Sequence, residues 1–286
     1  MAGNSVLKET SYEYGDDYQA EMERHYWESK NADPNNSDAK RIELAERLIA
    51  KHFRAGSDCV VLDVGCSVGL FATHFSKLGY TSIGIDFDEA AIRIARDISE
   101  RDGGSARFVA GDLSDASLDI PPLDIALCFD IFEHLHDDEL GVLLATLKRA
   151  LKPDGRLIFH TLPMQFDYIF WNVKQGRISI PWLLKPFLYM RPRAFEKAVR
   201  CYALLIDMGL VILTHQTWRD RIKRSSHCNP LTVERLTDIL TRAGYAIEEL
   251  ETGFLTPQYA PSLRRRVEAQ PITHRSLYGV CGVRKK

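Results

Sequence analysis

Two short stretches of this chain hold residue types that can grip a nucleoside. In Val60-Val61-Leu62-Asp63-Val64-Gly65-Cys66-Ser67-Val68-Gly69-Leu70 an apolar run ends in an acid, then breaks into a turn flanked by Gly65 and Gly69. Glycine there lets backbone approach a ligand closely, because no Cβ stands in the way. A second apolar run, Ile83-Gly84-Ile85-Asp86, ends in a carboxylate. It lies about twenty residues on, where an acid can accept the hydroxyls of a ribose lying across the first turn. Three histidines form a second kind of chemistry. His134, His160 and His227 each follow an apolar run or precede a helical one. An imidazole with its ordinary pKa near 6.5 is neutral at pH 7 and can take a proton from a hydroxyl.

These residues need a frame. Apolar runs at 59–64, 81–86, 106–110, 124–129 and 155–161 alternate with amphipathic stretches near 69–78, 88–101 and 138–151. The runs are short and do not alternate polar with apolar, as expected of parallel strands covered on both faces. Lys152-Pro153-Asp154-Gly155 reads as a turn before the fifth strand. An amphipathic helix at 231–243 and strands at 245–252 and 277–284 complete seven, the last expected to be reversed. Upstream, residues 38–54 have helical apolar spacing, with Ser37 or Asp38 as the expected cap. Residues 16–30 suit a further helix, and residues 1–15 show little pattern.

The composition sets bounds. A net charge of −2 argues against nucleic acid or membrane attraction by the molecule as a whole. The six cysteines are scattered without a C-x-x-C pair, which points to reduced thiols and a cytoplasmic location rather than disulfides or zinc. The polar, acidic start shows no signal peptide. No run of about 18 uncharged apolar residues occurs, so no membrane span is expected.

With these residues in view, the chain resembles the class I S-adenosylmethionine-dependent methyltransferases. The matching stretches are Val61 to Gly69, Gly84-Ile85-Asp86-Phe87-Asp88, Phe108-Val109-Ala110-Gly111-Asp112-Leu113, Phe129-Asp130-Ile131-Phe132-Glu133-His134-Leu135, and Leu147 to Gly155. They cover roughly residues 40–161 and 231–284, and come nearest the subgroup that contains ubiquinone-biosynthesis O-methyltransferases. The resemblance implies a Rossmann-like α/β fold, a seven-stranded mostly parallel sheet with helices on both faces. It implies S-adenosylmethionine as cofactor. Asp63 would organise the turn and help hold the cofactor's ammonium, with Gly65, Cys66 and Gly69 lining it. Asp86 would take the ribose, Phe87 the adenine face, Asp112 the adenine amino group, and Leu113 would supply backbone recognition. Asp130 and Ile131 would lie beside the methionine part. Tyr26 and Trp27 would either close over the cofactor or pack their helix on the core.

Competing readings fail on the same residues. Gly65-Cys66-Ser67-Val68-Gly69 matches a nucleophile elbow literally, but a hydrolase needs several strands before it, none is legible before residue 59, and no oxyanion loop is visible. A dinucleotide site would need G-x-G-x-x-G, and Ser67 and Leu70 stand where the later glycines belong. No ligand spacing for a metal is recognisable in the sequence.

One segment matches no pattern. Residues 163–228 interrupt the alternation and hold eleven Lys or Arg against four Asp or Glu, with Trp171, Trp182 and Trp218. They read as an inserted helical cap, which divides the chain into an N-terminal segment or lid at 1–37, a catalytic domain at 38–162 and 229–286, and the cap. Its basic groups are Arg191, Arg193, Lys197, Arg200 and Arg219, Arg221, Lys223, Arg224. They suit a solvated face, an anionic acceptor or peripheral contact with anionic lipid. The expected reaction is methylation of a hydroxyl on a small or conjugated acceptor, against N- or C-methylation or cofactor binding without catalysis. No nucleic acid partner is expected, and oligomeric state is not legible.

Overall fold

The computed structural model describes residues 16–31, 36–53, 59–113, 120–162, 185–215, 217, 227–255 and 261–284. Seven strands run β1 (Val60–Val64), β2 (Thr81–Asp86), β3 (Arg107–Ala110), β4 (Leu123–Phe129), β5 (Leu151–Thr161), β6 (Tyr245–Gly253) and β7 (Ser276–Val283). The helices are α1 (Asp16–Asn31), α2 (Ser37–His52), α3 (Leu70–Lys77), α4 (Glu89–Arg101), α5 (Asp137–Ala150), α6 (Pro192–Thr214), α7 (Val233–Arg242) and α8 (Pro261–Glu268).

The strands form one sheet in the order β3-β2-β1-β4-β5-β7-β6. Pairing is parallel from β3 through β5, and β7 is antiparallel to both β5 and β6. The expected reversal of the last strand is therefore present. Neighbouring β1 residues bury toward opposite layers. Leu62 packs with α5 (Leu140, Leu144) and α7 (Leu236, Leu240). Val61 packs with α2 (Leu44, Leu48) and α3 (Phe71, Phe75). Helices on both faces explain why these strands read as continuous apolar runs.

Three local expectations are corrected. Asn36, not Ser37 or Asp38, caps α2, accepting the Ala39 N–H at 2.8 Å. The segment Lys152 to Gly155 is not a turn before β5 but an irregularity inside it: Leu123 pairs with Leu151, then Ile125 with Arg156. A buried Leu151 and an ion pair from Lys152 to Asp124 at 2.6 Å hold that segment in the sheet. The short helix α8 was not foreseen, because its described side chains are mostly charged and give little apolar period.

Of the inserted segment, the described part is the 3-10 turn Lys185–Tyr189, α6 and the return at 227–228. Trp171, Trp182, Trp218 and the basic residues 219–224 lie outside the described residues, as do residues 1–15.

Candidate active site

Because β1 to β5 run parallel, their C-terminal ends share one edge, where ligands sit in sheets of this kind. Asp63, Asp86, Asp130 and His160 all lie on it.

At the first strand the chain turns sharply. Gly65 has φ +65° and Gly69 φ +82°. A Cβ on Gly65 would come within 2.1 Å of the Ile131 side chain, and one on Gly69 within 2.7 Å of the Phe108 ring. Glycine is thus required twice, for the left-handed backbone and for the space. Ser67 also takes positive φ, at +46°. Its strain is offset by the Ser67 N–H, which donates to Asp86 Oδ2 at 2.8 Å. Asp86 Oδ1 accepts the Asp88 N–H at 3.0 Å. The carboxylate is thus fixed by two backbone donors, and each oxygen keeps a lone pair for a ribose hydroxyl. Burial raises the Asp86 pKa, against the lowering effect of those N–H groups.

Asp63 is 2% exposed and accepts the Ala72 N–H, in the first turn of α3, at 3.1 Å. Burial pushes its pKa up to about 7, with the nearby Asp86 adding to the rise. A cationic ligand would relieve that cost. Cys66 is buried and its thiol pKa lies well above the ordinary value, chiefly through burial. It is an inert core thiol, as expected. Phe87 is 60% exposed, leaving its ring accessible. Gly111 donates to the Asp86 carbonyl at 2.8 Å, which brings the Asp112 and Leu113 backbone alongside β2. Leu113 packs against the core.

Tyr26 has a different setting from a cofactor lid. Its ring packs with Val68 and Ile98, and its hydroxyl donates to Asp102 at 2.9 Å. Asp102 ends α4 at the edge opposite Asp86. Arg101 lies over the Trp27 ring at 4.8 Å. Both aromatics fasten α1 to α4, the packing alternative.

At β4 and β5 a polar cluster forms. Asp130, at φ +57°, meets His160 Nδ1 through Oδ1 at 2.6 Å and Arg41 Nε through Oδ2 at 2.5 Å. Burial opposes the charge on Asp130, but His160 and Arg41 prevail and hold its pKa below the ordinary carboxylate value. His160 is fully buried and stacks on Phe129, and its Nε2 has no hydrogen-bond partner. It therefore cannot reach an acceptor directly, which corrects its reading as a general base. Its contact is with Asp130.

Glu133 is 1% exposed and accepts from the Thr161 hydroxyl at 2.7 Å. Burial, then the neighbouring Asp130, raise its pKa well above normal. Asn229 donates its N–H to the Glu133 carbonyl at 2.9 Å, which ties the return from the insert to this edge. That tie brings His227 beside His134, with ring centroids 4.8 Å apart. Burial, then His134, lower the His227 pKa to about 4, so it is neutral at pH 7. Ligating atoms of Glu133, His134 and His227 all lie within 4.8 Å of one another. No ligand spacing shows this set in the sequence, because the fold assembles it across more than ninety residues. Two imidazoles and a carboxylate are ligand types that suit a divalent cation, although the Glu133 oxygens here accept from Thr161 and Leu162.

Sequence reasoning expected His160 and His227 to share a cavity, whereas the structure sets His227 beside His134; it noted Asn229 only as a neighbour of His227 and missed Arg41 and Thr161. Arg41 sits on a helix read only for its apolar spacing, with no signal of its target.

The comparisons decide the family. Residues 37–250 match the family model described as "Methyltransferase domain". The chain belongs to this methyltransferase family. It is 28% identical over 134 residues to a ubiquinone biosynthesis O-methyltransferase of Coxiella burnetii, 47% of this chain and 53% of that one. It is 33% identical over 115 residues to the ribosomal protein L11 methyltransferase of Thermus thermophilus, 40% of this chain and 42% of that one. The chain spans about half the length of these curated relatives. Magnesium protoporphyrin IX methyltransferase of Synechocystis PCC 6803 with bound SAH has a similar fold. Its TM-score is 0.53 at 14% identity, covering 94% of this chain and 97% of that chain. The rigid Asp86 carboxylate and the Gly65 approach fit S-adenosylmethionine as the cofactor of such a methyltransferase.

Proposed function

We propose that this methyltransferase methylates a hydroxyl group of a small or conjugated acceptor. The observation that carries this reading is the His134–His227 pair beside buried Glu133 on the productive edge. The cofactor's sulfonium supplies an activated methyl group and departs as a neutral thioether. The protein's part is to hold the acceptor oxygen in line and to receive its proton. His134 is the proton acceptor in this reading. His227, held neutral by burial, packs beside it. Asp130 and His160 brace the ends of β4 and β5.

The names of relatives such as the Coxiella burnetii enzyme support O-methylation. Six free cysteines, five of them buried, support a reducing, cytoplasmic setting. Tritium transfer from labelled cofactor to a panel of hydroxylated acceptors tests the reading, with His134→Ala as the diagnostic variant. It should bind S-adenosylhomocysteine normally and turn over about 10²–10⁴-fold more slowly.

The ligand set of Glu133, His134 and His227 favours one alternative for the same step. A divalent cation there would bind the acceptor hydroxyl and lower its pKa. Activity lost to a chelator and restored by a divalent metal would select that form.

A further inference from the structure

Helix α6 changes character along its length. Its N-terminal half is seated: Phe195 and Val199 are fully buried. Gln270 donates to the carbonyls of Leu188 and Met190, at 3.3 and 2.9 Å, fixing the turn before the helix. Arg266 of α8 lies 3.7 Å over the Tyr189 ring. The C-terminal half turns apolar side chains outward. Leu204, Leu205, Met208, Ile212 and Leu213 are each between 59% and 80% exposed.

The spacing matters more than the count. Residues 204, 208 and 212 recur every four, so they share one face, with 205 beside them. Continued toward the N-terminus, the same stripe passes through Arg193 and Lys197, both exposed. Arg191 stands just before the helix, and Arg265 and Arg266 are exposed on neighbouring α8. The acids nearby are Glu196 and Glu268, which pair with Arg200 and Arg264, and Asp207. One continuous face is thus basic at one end and hydrocarbon at the other.

We infer that this face docks on an anionic lipid bilayer, the C-terminal half of α6 entering the headgroup boundary and the basic end meeting lipid phosphates. An amphipathic helix rich in Lys or Arg lies in the interface in this way. Anionic lipid supplies both complements at once, negative charge and apolar depth. A second copy of the chain would bring the same basic end against itself or leave it unmatched. No helix among the described residues is long and apolar enough to cross a membrane, so α6 lies on the surface rather than spanning it. The chain's net charge of −2 makes the attraction local to this face.

Flotation of the full chain with vesicles tests the inference. Phosphatidylcholine mixed with phosphatidylglycerol should carry the protein up the gradient, and high salt should release it. Arg191→Glu/Arg193→Glu/Lys197→Glu should weaken partitioning about 100-fold or more. Leu205→Asp/Ile212→Asp should abolish it. S-adenosylhomocysteine binding must persist in both variants, showing that they fold. If one does not fold, the salt release of the wild-type chain and the other variant still decide. Wild-type chain that stays at the bottom overturns the inference, as does flotation indifferent to salt and to both variants. So does a dimer that Leu205→Asp/Ile212→Asp breaks, with no lipid binding by the wild type.

Discussion

Asp130 and His160, thirty residues apart in sequence, join the ends of β4 and β5 through a 2.6 Å contact. Arg41 takes the other Asp130 oxygen. One carboxylate therefore ties α2 to the two central strands at the productive edge. Removing either end leaves a partly buried charge without its partner, which costs more than the pair itself contributes. A double-mutant cycle of Arg41→Gln and Asp130→Asn, read by urea unfolding, should give a coupling of about 0.5–3 kcal/mol. Additive effects would show that the contact carries no energy.

Gly65 and Gly79 separate two costs. Both have positive φ, but a Cβ on Gly79 meets nothing within 4 Å, while one on Gly65 collides with Ile131. Gly79→Ala should lose about 1–2 kcal/mol, the backbone cost alone. Gly65→Ala should lose about 1–3 kcal/mol more from overpacking and weaken S-adenosylhomocysteine binding. Equal losses at the two sites, by denaturant unfolding, would contradict the turn geometry.

Asp63 predicts a pH effect. Its folded pKa of about 7 lies above the 3.8 of an unperturbed carboxyl. Its stabilising contribution is therefore complete below pH 3.8 and is lost as pH rises through 7. Asp63→Asn should be more stable than wild type at pH 8, with the difference gone near pH 4. On the reading that Asp63 holds the cofactor's ammonium, which favours the ionised carboxylate, wild-type affinity for S-adenosylhomocysteine should rise with pH through 7, and the variant's should not. Calorimetry across that range checks both halves.

His227 acts in the opposite direction. Its folded pKa of about 4 lies below the unperturbed 6.5, so its contribution is present above pH 6.5 and lost as pH falls through 4. His227→Gln should narrow the loss of stability between those values. Unfolding curves that fall equally in both proteins would show that His227 is not held neutral.

The fold was largely legible because parallel, doubly covered strands leave unmistakable apolar runs, as at Val60–Val64 and Leu123–Phe129. Asp86 and Gly65 were legible because a backbone turn and an acid at a strand end are local features. The Arg41–Asp130 pair and the meeting of His227 with His134 were not. Each joins segments far apart in sequence, and no spacing reports which surface arginine folds back on a strand end. The Lys152–Gly155 segment misled for a related reason: Pro and Gly mark a turn locally, but Leu151 is buried and pairs across the sheet. Tyr26 was ambiguous in sequence because an aromatic near a helix end serves a lid or a core equally well.

The central claim is that the ends of β1 and β2 seat the cofactor's adenosyl group, with Asp86 on its ribose. The most direct measurement is a calorimetric titration of S-adenosylhomocysteine into folded protein freed of endogenous ligand, for wild type and Asp86→Asn. Asp86→Asn puts an amide NH₂ where a carboxylate oxygen now accepts. Binding at one site per chain, weakened about 10- to 100-fold in the variant, is the expected result. Heat of binding unchanged by the substitution, or none from the wild type, would contradict it.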